Sequence, residues 1–443
     1  MTESTGSIYS DKVCIESKLQ PATVYYKNGK IDEIKLDYKD PNAVDYTGLS
    51  ILPGLIDTHV HLNEPGRTEW EGFETGTKAA ASGGVTTVID MPLNAIPPTT
   101  TVPNFELKLK AAENQCWVDV GFWGGVIPSN AAELKPLIKR GVLGFKCFLM
   151  QGLDPDFPMV TLPDVEKAMQ ELETENTILL FHAELESGEG CSHGDPEKYS
   201  TFLSLRPDKF EVDAINAIAE LAPKHPNLKL HIVHLGTSEA LPTLRKFKNQ
   251  ISVETCFHYL AFDAESIPDG AVLYKVVPPI RSKQTQNALW QALKDGEIQS
   301  VVSDHSPCTA NLKEVEQRNF VTSWAGITSV GLGLTVLWTK AHEHSVTLPE
   351  IAKWCSAGPA EEAGISKLKG SITVGKDADF CIFNENEEWT FDASKMDYKN
   401  KLTVYNGMPV KGKVVETILR GKSIYKFGNT FSAPEGNFIL GRK

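Results

Sequence analysis

The chain has 443 residues, with 44 Lys+Arg against 57 Asp+Glu for a formal charge of −13, and is 41% hydrophobic and 23% charged. That composition belongs to an ordinary soluble globular protein with a large core, and it excludes disorder, collagen and coiled coil. The negative charge argues against nucleic acid and anionic membranes as partners, because both call for basic patches. The eight cysteines (Cys14, Cys116, Cys147, Cys191, Cys256, Cys308, Cys355 and Cys381) form no CxxC pair and are too sparse for a disulfide scaffold. A reducing, intracellular setting is the simplest reading. The first residues lack the basic and apolar regions of a signal peptide. The longest nearly apolar stretch, Ala325 to Trp338, falls short of the ~20 residues of a membrane span. The final Gly-Arg-Lys is not a peroxisomal address. A cytoplasmic protein is expected.

In chain order, Val24-Tyr-Tyr and Lys30-Ile-Asp-Glu-Ile-Lys flank Asn28-Gly29, a strong two-residue hairpin signal. From about Pro53 to Gly364, β-rich runs alternate with helix-like stretches such as Phe73–Ser82, Leu162–Glu173 and Lys283–Lys294. The runs are Gly54–His61, Val85–Met91, Val118–Gly125, Gly141–Phe148, Ile178–Ala183, Leu228–Leu235, Val272–Val277 and Ser300–Ser303. Eight such units predict an α/β fold, a (β/α)₈ TIM barrel with catalytic groups at the C-terminal ends of its strands. A doubly wound open sheet is disfavoured, because no GxGxxG or Walker-type loop follows any run. Beyond the barrel, Asp379-Phe-Cys-Ile-Phe, Lys413-Val-Val-Glu-Thr-Ile-Leu and Ser423-Ile-Tyr-Lys-Phe read as short strands, the last two joined by Arg420-Gly421-Lys422. The expected organisation is a small β-sandwich domain split between residues 1–52 and 366–443, with the barrel, residues 53–365, inserted between its parts.

The strand tips carry the chemistry. His59-Val-His61 ends the first run, and residues i and i+2 of a strand share a face, so both imidazoles can converge on one metal ion. His182, His234 and Asp304 end later runs. Any one of them is more commonly a capped loop residue; four histidines and a carboxylate at barrel tips favour a metal site. His231, three positions before His234, is expected to point to the other face, toward the helices. Asp304 is preferred to His305 as a ligand, with His305 available to position a substrate. A second pair, His342-Glu-His344, follows a helix-like run and reads as a helix end. Lys146 lies in Val142-Leu-Gly-Phe-Lys-Cys-Phe-Leu, built for burial. Either it snorkels to the barrel mouth, or burial keeps it neutral and able to take up carbon dioxide as a metal-bridging carbamate.

With these residues in view, the chain resembles the amidohydrolase superfamily, in its cyclic-amidase branch of dihydroorotases, hydantoinases and allantoinases. The resemblance runs from Pro53-Gly-Leu-Ile-Asp-Thr-His-Val-His to Gly370-Ser-Ile-Thr-Val-Gly-Lys-Asp-Ala-Asp. It implies a barrel with a β-sandwich from both termini and two divalent ions (zinc first; manganese, cobalt or iron as alternatives). The ions would be held by His59, His61, a carboxylated Lys146, His182, His234 and Asp304. It further implies hydrolysis of a ring amide by a hydroxide shared between the ions, with Asp304 as the proton carrier, and a homo-oligomer, commonly a tetramer. The loop Asn63-Glu-Pro-Gly-Arg-Thr-Glu-Trp-Glu-Gly-Phe, with Asp90-Met-Pro-Leu-Asn94, is closest to branch members acting on a small neutral cyclic ureide. Asn63 stands where dihydroorotases carry an arginine for a carboxylate, and Gln151 where hydantoinases carry a tyrosine. The other readings are a hydantoinase or dihydropyrimidinase, or a non-catalytic scaffold. Asn63, Asn94, Val277 and Arg281 are the expected ring contacts, although Arg281, like Arg67, has a weaker claim, since each could equally be a structural salt-bridge partner. Cys147, beside Lys146, is expected to pack rather than to ligate.

Overall fold

The computed structural model describes residues 5–188, 194–428 and 431–442; Cys191 lies outside the described residues. Eight strands follow one another around a barrel: Leu55–Val60, Val85–Asp90, Asp119–Phe122, Phe145–Phe148, Ile178–His182, Lys229–Ile232, Ile251–Cys256 and Ser300–Val302. Every strand pair among them is parallel. The third and fourth strands are joined through Gly124–Gly125 and the Leu143 N–H to the Phe122 carbonyl. Closure comes from a bridge between Val60 and His305, where the His61 N–H donates to the His305 carbonyl at 2.8 Å.

The alternation of the strands sorts the core into two layers. Ile56, Ile89, Trp123, Leu143, Leu180 and Val233 pack together in one cluster, whereas Val88, Phe145, Leu179, Phe181 and Ile232 pack into the larger one with the helices. The helices cover the outside as their patterns require. Leu162–Leu172 starts with a capping box between Thr161 and Asp164 and buries Val165, Ala168, Met169 and Leu172, one stripe at 3.6-residue spacing. Lys283–Lys294 starts at Ser282, whose hydroxyl accepts from the Thr285 N–H. The pair His342 and His344 ends the helix Gly333–His344, with His344 stacked on Trp290.

One run was misplaced from sequence. Val272–Val277 is no strand: Val272–Tyr274 forms a 3₁₀ turn and the chain then runs extended into Pro278 and Pro279. The seventh strand is Ile251–Cys256, whose Ile251 pairs with Leu230 directly after the helix Leu241–Phe247. Both runs are short and β-rich, so pairing decided between them. Pro278 and Pro279 would deprive a strand of two successive donors.

The two ends of the chain meet in one eight-stranded sheet. Its order is Lys422–Lys426, Pro409–Leu419, Phe380–Thr390, Ser50–Pro53, Thr5–Ile15, Lys18–Lys27 and Lys30–Leu36, with Val44–Asp45 beside Thr5–Ile15. Asn28 and Gly29 take φ of 53° and 76°, the left-handed pair that a tight hairpin needs. Ile51, Phe380 and Ile382 pack into the sheet's own core, while Leu52, Cys381 and Phe383 face the barrel's. Lys369 fastens the two parts: its Nζ lies 2.8 Å from Asp119 of the third barrel strand, 2.9 Å from Asp377 and 2.5 Å from Asp379. Among the described residues no helix is long and apolar enough to cross a membrane.

Candidate metal centre

At the C-terminal ends of the strands, the four histidines, Lys146 and Asp304 all line one cavity of about 300 Å³, at the small end of ligand pockets. His59 Nε2 and His61 Nε2 stand 3.3 and 3.6 Å from Asp304 Oδ1. On the opposite side, His182 Nδ1 and His234 Nε2 face each other at 2.9 Å. Lys146, 1% exposed, has no carboxylate ion-pair partner among the described residues. Two of these residues carry unusual backbone: His234 has φ 40° and Asp304 φ 44°, and the flanking Asn63 and Asn94 have φ 62° and 59°. Left-handed backbone at non-glycine residues is costly and gathers at functional sites.

The ring nitrogens turned away from the cluster are largely anchored. His59 Nδ1 meets Glu254 Oε1 at 2.5 Å, and His182 Nε2 meets Glu184 Oε2 at 2.6 Å. Arg206 grips Glu184 with two bonds, of 3.0 and 2.6 Å. His61 Nδ1 has the Asn94 carboxamide at 3.3 Å. Carboxylates behind histidines are what orient metal ligands and fix their tautomers.

Electrostatics favours the ligand forms. Burial pulls His59, His182 (to about 4) and His234 below the ordinary histidine value, toward the neutral form that ligates a metal. Burial also lowers Lys146, to about 8. Burial alone would raise Asp304, but the His59 and His61 rings outweigh it and hold the carboxyl well below its usual range. In Glu184 burial is outweighed by Arg206 and His182, again lowering the carboxyl. Neutral imidazoles and an ionised carboxylate, with lone pairs facing one another, form a donor set that fits divalent cations. His59, His61 and Asp304 alone bring three ligand atoms within 4.8 Å of one another.

The expected ring contacts divide. Val277 and Asn94 line the cavity, as does Gln151. Asn63 does not: it is 1% exposed and neither polar atom of its side chain has a hydrogen-bond partner. Arg281 is turned away, held at 3.0 Å by Glu211 and donating to the Arg206 carbonyl at 2.6 Å. A buried guanidinium needs a partner, and Glu211 reaches it before any ligand could. Arg67 is likewise taken, bidentate on Asp154 at 2.9 and 3.1 Å. His305 faces Glu71 at 3.1 Å and accepts from the Ser329 N–H, so it lies behind the site rather than in it. His231 meets Glu254 of the neighbouring strand and Glu362 of the helix Gly358–Glu362, each at 3.3 Å. The strand stops at Ile232, and the left-handed turn at His234 breaks the alternation that separated the two histidines. Cys147 packs outward, its Sγ 3.7 Å from the Leu180 carbonyl.

Four contributors escaped the sequence reading. Glu184 was visible as the second residue after His182. Glu254 was hidden because its strand was not recognised. Arg206 and Lys275 line the cavity from loops, where no periodicity marks them. Lys275 donates to the Val321 and Ser323 carbonyls, at 3.0 and 2.5 Å, and so steadies the loop that brings Trp324 and Gly326 to the cavity wall. Gly326 has φ 144°, and a Cβ there would lie 2.2 Å from the Ser306 carbonyl oxygen.

A closed eight-stranded α/β barrel, joined to a sheet from both termini and bearing an HxH, a buried lysine, two further histidines and an aspartate, defines a class. The sequence matches the amidohydrolase family over residues 50–424, and the chain belongs to that family. It is 47% identical to an allantoinase of Saccharomyces cerevisiae, covering 98% of each chain, and 41% identical to an allantoinase of Streptomyces avermitilis, covering 97% of each. Among solved structures, it resembles an L-hydantoinase (dihydropyrimidinase) from Arthrobacter aurescens with a TM-score of 0.90 at 25% identity, covering 98% of this chain and 99% of that one. A dihydropyrimidinase from Brevibacillus agri aligns with a TM-score of 0.88 at 26% identity, covering 99% of each.

Proposed function

We propose that this protein hydrolyses the ring amide of allantoin to allantoate. The observation that carries the reading is the 47% identity to an allantoinase across 98% of both chains, in a chain whose ligand-type side chains meet in one small cavity. Two divalent ions would be held by His59, His61, Lys146 as a carbamate, His182, His234 and Asp304, with zinc first and manganese, cobalt or iron as alternatives. For the carbamate, the neutral Lys146 amine forms a nitrogen–carbon bond to carbon dioxide and gives up one proton, leaving an anion with two ligand oxygens.

Such ions, when bound, polarise the ring carbonyl and make a nucleophile available at neutral pH. The protein's own part is proton handling and placement. Asp304 is ionised, and its Oδ1 accepts from Ser306 Oγ at 3.0 Å. It takes a proton from the attacking water as the oxygen–carbon bond forms, and returns it to the ring nitrogen as the carbon–nitrogen bond breaks. Phe148, Phe157 and Leu153 line the cavity with apolar surface. Its wall nitrogen donors are already engaged, Arg206 by Glu184 and Lys275 by two carbonyls. An uncharged ring needs neither, whereas a substrate carboxylate would have to displace one. Asn94 and Val277 are the proposed ring contacts.

The test is to incubate the protein with allantoin, hydantoin, dihydrouracil and dihydroorotate and follow ring opening. Turnover of allantoin well above the other three is expected; turnover of dihydrouracil without allantoin would overturn the assignment.

A further inference from the structure

Beneath the metal centre, one carboxylate away from His59, a second set of ligand-type side chains converges. His231 on the sixth strand, Glu254 on the seventh and Glu362 at the end of the helix Gly358–Glu362 are 0%, 0% and 6% exposed. His231 Nε2 lies 3.3 Å from Glu254 Oε2 and 3.3 Å from Glu362 Oε1. All three atoms lie within 4.8 Å of one another, and none has a hydrogen-bond partner.

The remaining atoms of the same side chains are fixed. His231 Nδ1 meets Ser252 Oγ at 2.8 Å, and that hydroxyl is itself directed at the Leu230 carbonyl, 3.3 Å away. The hydroxyl proton being spent on the carbonyl, its oxygen accepts from His231 Nδ1–H, which leaves Nε2 as a bare lone pair. Glu254 Oε1 is held by His59 Nδ1 and the His234 N–H, and Glu362 Oε2 by Ser300 Oγ at 3.2 Å. Three acceptors thus face one another in a buried space, an arrangement that requires a positive charge at its centre.

Three candidates can supply it: a proton on His231, a proton on Glu362, whose carboxyl burial pushes up, or a metal ion. The distances separate them. Charge-assisted N–H···O bonds close to about 2.7–2.9 Å, and both contacts are longer. Ligands about 2.0–2.1 Å from a tetrahedral ion stand roughly 3.3–3.4 Å apart, which matches both. The site also has an entrance, since His231 and Glu362 line a cavity of about 430 Å³ that extends to Lys229, Lys248 and Glu361 at the surface. The third group of clustered acids, Asp119, Asp377 and Asp379, differs in already holding the Lys369 ammonium.

We propose that His231, Glu254 and Glu362 form a separate site for one divalent transition ion of the zinc class, with its open position toward the basal cavity. Glu254 belongs to both sites: Oε2 faces this site and Oε1 orients His59, so an ion here draws density from the carboxylate behind a ligand of the upper centre.

Crystals of the full-length protein soaked in zinc chloride, with diffraction recorded on either side of the zinc absorption edge, locate each ion independently of activity. An anomalous peak between His231 Nε2, Glu254 Oε2 and Glu362 Oε1 is expected. In solution, Glu362→Gln should bind one zinc fewer per chain than the unaltered protein. A wild-type map without a basal peak, or equal zinc content in the variant, would overturn the proposal in favour of a proton on His231 or Glu362. If Glu362→Gln fails to fold, the wild-type map alone decides. Because the map is positional, loss of the upper ions would not be mistaken for loss of this one.

Discussion

The molecule buries lysines in two different ways. At the junction of barrel and sheet, Lys369 is surrounded by Asp119, Asp377 and Asp379; burial opposes its charge, but the three carboxylates outweigh burial and push it well above the usual lysine range. At the barrel mouth, Lys146 and Lys275 have no ion-pair partner among the described residues, and burial pulls them down to about 8 and about 7. The first lysine holds two parts of the fold together. The others are amines poised near neutrality, in the cavity where the ligand-type histidines meet. Burial alone therefore does not mark a functional lysine; burial without a carboxylate, beside a cavity, narrows the choice to the two at the mouth.

That contrast can be broken at either end. Lys146→Ala should lower kcat by about 10²–10⁴-fold, the range of a lost catalytic contribution, with the melting temperature little changed and partial recovery on adding a short carboxylic acid. A fully active Lys146→Ala carrying its metal would remove the carbamate from the scheme. Lys369→Met should do the reverse. It strands Asp379, leaves Asp119 to Arg420 and Asp377 to Lys30, and should cost about 3–5 kcal/mol of stability, read by denaturant unfolding, while allantoin turnover per folded molecule stays near wild type. Between these lies Glu184→Gln, which keeps the hydrogen bond to His182 but removes the charge behind it. A 10–100-fold weaker metal affinity is expected, measured by competition with a chromophoric chelator. Unchanged affinity would mean that Glu184 serves Arg206 alone.

The legible part of this molecule was what repeats along the chain. Strand tips at His59, His182, His234 and Asp304 could be read because each closes an apolar run, and the terminal hairpins because Asn28-Gly29 and Arg420-Gly421 have one favoured geometry. What escaped depends on partners distant in sequence. Arg281 could be read either as a ring contact or as a salt-bridge partner, and only the fold shows Glu211 beside it, 70 residues away in the chain. Glu254 lay in a segment that was not read as a strand, and its importance lies in a histidine 195 residues earlier. His231, expected against the helices, meets Glu362 of a helix but also Glu254 of the next strand, a partner that no spacing announced.

The last test concerns the mouth lysine that the reaction does not use. Lys275 spans two carbonyls of the loop carrying Trp324, and its amine needs no charge to donate both bonds. Its folded value, about 7, lies below the ordinary 10.5; burial is the main cause and the neighbouring Lys313 cation adds to it. Between those values the unfolded chain holds a proton that the folded chain has released, so stability rises with pH across that window, and below about 7 the folded state carries the full cost of the buried charge. The slope is at most about 1.4 kcal/mol per pH unit. Unfolding free energies of the wild type and Lys275→Met, compared from pH 7 to about 9.5, should therefore converge or cross in favour of the wild type as pH rises. A difference independent of pH would mean that Lys275 is charged throughout. The contrast with Lys369, whose charge is held by its carboxylates over the same range, would then rest on Lys146 alone.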